Sequence, residues 1–435
     1  MIQLLQLLLI VIQLMLLILI SNHFREHVLE MAKPLKVTIC GGGKSAHVMS
    51  VLAASQAEME VAVLTLYKDE AERWTKAIES DNMILTIKGL NGYSRDVQAN
   101  PGIVSNDPKE VVPGSDIVFF TVAAFAHEEY MKAIAEHLDK KTVLVGFPGQ
   151  AGFEYMCRSY LGDLCDQITI MNFELSPWVS NMVEYGRKVE LLRISKDLSG
   201  SILRGKAIPR KPALMSVQMI VGNEPMLKQV KHFAELIFAS YSFMHPAIVY
   251  GKWKDWDGKA MENEPLFYEE IDDDTTQLIE NCSKEYQDVA HAISGQRPDV
   301  DFSEFKDIYK WLLDFYKTDC ENATSLQNAI KTNKYYMGVK HVMVKEKNKF
   351  KPDFNCRYLK EDIPCGVAVV KGIAEIVNIE TPNCDKLIEW AQGKLSKKYL
   401  VDGKLTGLDV KETRSPQRFG FTTVEGILSG KKSET

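Results

Sequence analysis

The residues whose types and spacing most plainly allow chemistry are Gly41-Gly42-Gly43-Lys44-Ser45-Ala46. Gly41, Gly43 and Ala46 fall at the G-x-G-x-x-A/G spacing. The first glycine permits a tight turn, the second lets a pyrophosphate approach the backbone, and a small third residue packs helix against strand. A helix start placed there turns free N–H groups toward phosphates. The motif is weak alone, but here it follows the β-branched run Val37-Thr38-Ile39-Cys40 and precedes a helical stretch, a context that points to dinucleotide binding. Gly41, Gly42, Gly43, Lys44, Ala46 and Thr65 are the expected cofactor-binding residues. The second strand ends Val63-Leu64-Thr65-Leu66-Tyr67 without the acid that usually grips the adenosine ribose of NAD, and Lys68 and Arg73 lie close by. The residues themselves therefore leave NAD and NADP both open.

Other candidates say less by position. His245 is of the residue type best suited to proton transfer, but a lone histidine between Met244 and Pro246 reads first as a core residue. Arg357 and Asp362 read as a charge pair at a helix start. The eight cysteines are dispersed with no C-x-x-C pair, so no metal site is expected and the thiols read as buried in a reducing compartment. Two glycosylation triplets, at Asn281 and Asn322, carry little weight without secretion.

Larger elements must position these residues. A chain of 435 residues exceeds the size at which one core usually divides, so two domains are expected. With 46% hydrophobic and 25% charged residues the composition is that of an ordinary globular protein, and a net charge of −6 argues against nucleic acid as partner. From Lys36 onward, short β-branched runs alternate with helical stretches, the pattern of a parallel sheet built from βαβ units. Strands are expected at 37–40, 61–65, 116–122, 141–147 and 167–171, with helices between them. Beyond about residue 230 strand signals nearly vanish, and helices are expected near 227–238, 274–294, 302–316, 363–376 and 384–394. The expected architecture is α/β: a dinucleotide-binding domain of the Rossmann type over residues 34–230, followed by an all-α substrate domain over 231–435. Residues 1–33 form a leader, of which Met1 to Ile20 is almost wholly aliphatic and long enough to span a bilayer. It lacks the basic start and small-residue cleavage site of a signal peptide. It is either an uncleaved membrane anchor or a start placed ahead of Met31.

Several segments together resemble one family. Gly41-Gly-Gly-Lys-Ser-Ala-His47, Ala124-Phe-Ala-His-Glu128, Gln150-Ala-Gly-Phe-Glu154, Ser240-Tyr-Ser-Phe-Met-His-Pro246, Trp256-Asp-Gly-Lys259 and Arg357-Tyr-Leu-Lys-Glu-Asp-Ile-Pro364 are similar to the opine dehydrogenases, with the octopine-type enzymes of marine invertebrates nearest. The similarity runs from Lys36 to Gly430; residues 1–33 have no counterpart in it. It implies NADH-dependent condensation of a 2-oxo acid, usually pyruvate, with an amino acid, between a Rossmann domain and a helical domain. It further implies a cytosolic monomer whose partners are small molecules, with a membrane involved only if residues 1–20 are an anchor, and it tips the cofactor toward NAD.

The resemblance also assigns roles. His245 matches the catalytic histidine and Asp362 the carboxylate that pairs with it, an arrangement that fixes an imidazole tautomer and stabilises the imidazolium. Arg357 matches an arginine of the substrate site, where a planar guanidinium can hold a carboxylate through two bonds. Gln150, Tyr241 and Trp311 match positions of the substrate cleft, although Trp311 reads equally as helix core. Glu174 matches an acid that helps hold arginine. Around it the chain departs from the octopine pattern, with Leu175 and Ser180 as replacements and Ala239 in place of a methionine, so arginine, taurine, alanine, glycine and β-alanine are all open as the amine. Two other readings stay in view: a glycerol-3-phosphate or other 2-hydroxy-acid dehydrogenase, and a membrane-tethered cofactor sensor without catalysis.

Overall fold

The computed structural model describes residues 32–89, 93–173, 175–316 and 319–432. The aliphatic leader, including the proposed anchor at 1–20, and Glu174 lie outside the described residues. Among the described residues no helix is long and apolar enough to cross a membrane.

Twelve strands precede the helical part: β1 Leu35–Cys40, β2 Met59–Leu64, β3 Ile84–Lys88, β4 Ser94–Gln98, β5 Ile103–Ser105, β6 Ile117–Phe120, β7 Val143–Gly146, β8 Thr169–Phe173, β9 Trp178–Glu184, β10 Lys188–Ile194, β11 Asp197–Leu203 and β12 Met226–Gln229. Eight of them form one sheet in the order β12-β11-β8-β7-β6-β1-β2-β5, parallel except where β11 meets β8. The inner strands are buried on both faces, which is why they read as continuous apolar runs rather than alternating ones. Alternate residues feed two cores. Val37, Ile39, Val61, Val63, Ile117 and Phe119 face one, while Cys40, Leu64, Phe120 and Leu144 face another that continues without a break into the helical part.

The chain runs outward from β1 through β2 to β5 and then returns to β6 on the other side of β1. This reversal opens a crevice at the carboxyl ends of β1 and β6, where ligands of open α/β sheets sit. It is also where the Gly41 turn emerges.

A second sheet, ordered β4-β3-β10-β9, was not foreseen. Its strands carry charges on the solvent face and alternate weakly, so no apolar run marks them. It lies against the helix Lys44–Ala54 through a bond from Gly186 N–H to His47 Nε2.

Beyond Gln229 the elements are mainly helical, among them Met244–Trp253, Asp273–Gln296, Ile308–Tyr316, Ala368–Val377 and Pro382–Leu395. Two differences from the expected all-α pattern stand out. Residues 226–229 pair with β11 as a strand instead of starting a helix. The hairpin of β13 Met343–Glu346 and β14 Lys349–Pro352 occupies the lysine-rich stretch, its side chains largely in solvent, so it left no apolar signature. The last forty residues return to the first part: Tyr155 donates to the Ile427 carbonyl at 2.9 Å, Arg158 to that of Gly430 at 2.7 Å, and Arg418 grips both oxygens of Glu128 at 2.8 and 2.7 Å.

Candidate active site

The glycine turn is built for close approach. Gly41 has φ +136° and donates to the Leu64 carbonyl at 2.8 Å, and a Cβ there would meet Thr121 Oγ1 at 2.8 Å. Only glycine tolerates both constraints. Gly43 is exposed, a Cβ on it would touch nothing within 4 Å, and it precedes the helix Lys44–Ala54 with no side chain capping the helix start. Open space in front of free helical N–H groups is what a pyrophosphate needs, so the turn fits a dinucleotide.

Ala46 is buried against the sheet and Lys44 is exposed beside the turn. His47 locks the turn from behind: Nε2 accepts from Gly186 N–H at 2.9 Å, so Nδ1 carries the proton and donates to the Gly43 carbonyl at 2.9 Å. Burial pushes its pKa down to about 4, keeping the ring neutral. Thr65 ends in the same place, and its hydroxyl donates to Glu70 Oε2 at 2.5 Å.

On the helical side, His245 lies in the first turn of the helix Met244–Trp253. Its Nδ1 is 2.8 Å from Asp362 Oδ2, and its Nε2 is 3.1 Å from the Tyr268 hydroxyl. Tyr358 stacks on the imidazole at 4.5 Å between ring centres. Burial raises the Asp362 pKa, opposed by the bond from His245. Burial also pushes the Tyr268 phenol well above its ordinary range, so Tyr268 stays an O–H group. With Asp362 ionised, the assignment that satisfies all three groups has Nδ1–H donating to Asp362 and Nε2 accepting from Tyr268.

The backbone delivers Asp362 by an unusual route. After the short helix Arg357–Lys360, residues Ile363–Val367 form a π-turn in which Val367 N–H reaches back five residues to the Asp362 carbonyl at 2.8 Å. Pro364, which lacks an N–H, sits inside this turn. Single π-turns of this kind are frequent at functional sites.

The same stretch reaches the sheet domain. Arg357 Nε and Nη2 bond Glu361 Oε2 at 2.6 and 2.5 Å, and the other oxygen of Glu361 accepts from Ala124 N–H at 2.7 Å. Ala124 opens the helix after β6, next to the Thr121-Val122 segment that touches Gly41. Buried Arg414 donates to the carbonyls of Ala124 and Gly149, each at 2.6 Å. Gly149 and Gln150 form a turn fixed by Asn172, which accepts from Gly149 N–H and donates to the Gln150 carbonyl, both at 3.0 Å. Gln150, in the left-handed region at φ +66°, is thus held in the turn that follows β7.

Tyr241 and Trp311 pack ring to ring at 4.7 Å, and the Tyr241 hydroxyl donates to the Lys306 carbonyl at 2.8 Å. From Trp311 an aromatic chain runs through Tyr316 and Tyr336 to Tyr268, the last two stacked at 4.0 Å. Arg193 of β10 lies 3.0 Å over the Tyr335 ring, a further link between the two parts. Leu175 packs with the sheet-side core, and Ser180 is buried on β9 opposite Leu191. Among the described contacts none joins either of them to the His245 group.

The structure therefore pairs His245 with Asp362, places Arg357 five residues before that carboxylate, and adds Tyr268, Tyr358, Glu361, Arg414 and Asn172, which sequence reading missed. Glu361 adjoins Asp362 in the sequence, yet no local pattern marks it out from the neighbouring charges. Tyr358 adjoins Arg357, while Tyr268, Arg414 and Asn172 come from distant segments whose proximity no local pattern records.

One other cluster, Cys282, Glu285 and Cys384, brings three metal-capable groups together in the helical core. The Glu285 carboxylate is spent on the start of the helix Pro382–Leu395, accepting from Asn383 N at 2.8 Å and Cys384 N at 2.9 Å, so the cluster reads as a structural cap.

Comparison with known proteins agrees with this geometry. Residues 229–395 match the family model for the α-helical domain of NAD/NADP octopine/nopaline dehydrogenase. The octopine dehydrogenase of Pecten maximus is 46% identical over 398 residues, 92% of this chain and 100% of that protein. The tauropine dehydrogenase of Arabella iricolor is 41% identical, covering 90% of this chain and 99% of its own length. Among solved structures, octopine dehydrogenase in complex with NADH and agmatine superposes with a TM-score of 0.89 at 46% identity, over 92% of this chain and 99% of that one. A Rossmann sheet facing a helical domain, a glycine turn at the switch point and this relatedness over nearly the whole length lead to one conclusion: the chain belongs to the opine dehydrogenase family.

Proposed function

We propose that this opine dehydrogenase joins pyruvate to the amino group of an amino acid and reduces the product, with NADH as reductant. Pyruvate, amine, NADH and a proton give an N-(1-carboxyethyl) amino acid, NAD⁺ and water. The glycine turn, Lys44, Ala46 and Thr65 hold the dinucleotide, which when bound supplies the hydride. Arg357 takes the pyruvate carboxylate on the guanidinium edge that Glu361 leaves free, and Gln150 faces it from the sheet side. His245 accepts a proton from the attacking amine and returns one as the carbonyl oxygen leaves as water. Asp362 holds the Nδ1 proton and stabilises the imidazolium that this requires. Tyr241, Trp311, Leu175 and Ser180 are assigned to the amine, together with Glu174, which lies outside the described residues.

The observation that carries this reading is the 2.8 Å His245–Asp362 pair, its carboxylate five residues after Arg357 where the short helix Arg357–Lys360 leads into the π-turn. A dehydrogenase of phosphorylated alcohols would need a cluster of cations at that histidine, whereas the groups around it are a carboxylate and two phenols. We place the domain boundary near residue 230 and read the enzyme as a cytosolic monomer. Adding pyruvate with each of arginine, taurine, alanine, glycine and β-alanine to enzyme and NADH tests the proposal: loss of nicotinamide absorbance with at least one pair is expected, and no loss with any pair would refute it.

A further inference from the structure

The dinucleotide motif explains Gly41 and Gly43 but not the glycine between them. Gly42 fills a position where the motif accepts any residue, and its surroundings show why a side chain is excluded there. A Cβ on Gly42 would lie 1.8 Å from Glu70 Oε2 and 2.7 Å from Thr65 Oγ1. What crowds Gly42 is therefore the carboxylate of Glu70.

This carboxylate stands beside the strand end, whose own residues Val63 to Tyr67 include no acid. Dinucleotide-binding folds place an acid at the end of the second strand, where it bonds the ribose 2′-hydroxyl of NAD. Thr65 directly follows β2 here, and Glu70, five residues on in the first turn of the helix Glu70–Ile78, folds back to it.

Three contacts fix the loop between them. The Thr65 hydroxyl donates to Glu70 Oε2 at 2.5 Å, Leu66 N–H donates to the Tyr130 hydroxyl at 3.0 Å, and the Tyr185 hydroxyl donates to the Glu70 carbonyl at 3.4 Å. The neighbouring cations are otherwise engaged. Arg73 pairs with Asp69 at 3.2 Å over the Tyr185 ring, and Lys68 lies 4.9 Å over the Tyr67 ring.

We infer that Glu70, aimed by Thr65 over Gly42, takes the adenosine ribose 2′-hydroxyl and sets the preference for NADH over NADPH. A carboxylate accepts a bond from a hydroxyl but repels a 2′-phosphate, which carries nearly two negative charges at neutral pH. Two residues thus do the work of the acid that is missing from the strand end. The inference rests on the dinucleotide reading of the turn.

The test is equilibrium binding of NADH and of NADPH to the full chain, followed by nucleotide fluorescence with no substrate present. Glu70→Gln should lower the ratio of NADPH to NADH dissociation constants by about tenfold or more, mainly by tightening NADPH. Gly42→Ala, which displaces the carboxylate, should move the ratio the same way. Glu70→Asp, which keeps the charge but shortens the reach, should weaken NADH while still excluding NADPH. An unchanged ratio in Glu70→Gln, with wild-type melting temperature and wild-type NADH affinity, overturns the inference and leaves the dinucleotide site standing. A wild-type chain that binds neither nucleotide removes both.

Discussion

Arg357 and Glu361 meet through two bonds to a single oxygen, leaving the second Glu361 oxygen to hold Ala124 N–H on the opposite domain. One buried carboxylate therefore sets the position of Arg357 relative to the glycine turn. Charge-assisted bonds of this kind contribute roughly 1.5–3 kcal/mol, so Arg357→Met should raise the KM for pyruvate about 10- to 100-fold while the Kd for NADH stays unchanged. Initial-rate kinetics with a nucleotide titration separates the two. An unchanged KM for pyruvate would remove Arg357 from the substrate site.

His245→Ala and Asp362→Asn should each lower kcat by about 10²–10⁴-fold, the range for loss of general acid–base help. Asp362→Asn removes the acceptor that favours Nδ1 protonation, so its loss should approach that of His245→Ala, and the double variant should be no worse than the worse single one. Independent, multiplying losses would show that the two residues do not act as a pair. NADH binding, read by fluorescence, should survive in all three.

Glu154 lies under the Gln150 turn, fully buried, accepting from Ser201 at 2.9 Å and from Asn172 at 3.3 Å. Burial raises its pKa from 4.5 to about 7. The folded state therefore holds this proton more tightly than the unfolded chain, and its stabilising contribution is complete below about pH 4.5 and lost as the pH rises to about 7. At 1.36 kcal/mol per pKa unit, the loss is about 3 kcal/mol. Glu154→Gln should remove that slope, so melting temperatures of variant and wild type should diverge from pH 5 to pH 8 in favour of the variant. Parallel curves would count against a buried, protonated Glu154.

Arg414 is 3% exposed, and its two donors serve backbone carbonyls at two places in the sheet domain, the start of the helix Ala124–Ile134 and the turn at Gly149. Arg414→Ala leaves both carbonyls without that partner, at about 1–3 kcal/mol each. Urea denaturation should show a loss of about 2–5 kcal/mol, with a larger KM for pyruvate because Gly149 adjoins Gln150. A loss below about 0.5 kcal/mol would mean that water or a neighbour replaces the guanidinium.

Local pattern carried much of this. The strand–glycine–helix unit at 35–54 and the inner strands were legible because parallel strands buried on both faces are apolar throughout. The second sheet was not, since its strands at 84–98 and 178–194 mix charged with apolar residues. The helix expected from 302 begins at Ile308, following Lys306 and Asp307, whose carboxylate receives the Lys310 N–H at 3.0 Å. At the site, His245 and Asp362 were legible only through resemblance, because 117 residues separate a pair that touches. Glu70 was missed for a different reason: the acid was sought at the strand end, and the loop brings it back from the next helix.

The most direct measurement is of the product. Enzyme, NADH, pyruvate and the active amine should yield the N-(1-carboxyethyl) amino acid by mass spectrometry, one molecule for each NADH oxidised, with no product when the amine is omitted and none from His245→Ala within the same time. Lactate in place of the condensed product, or NADH oxidation that does not depend on the amine, would contradict the account.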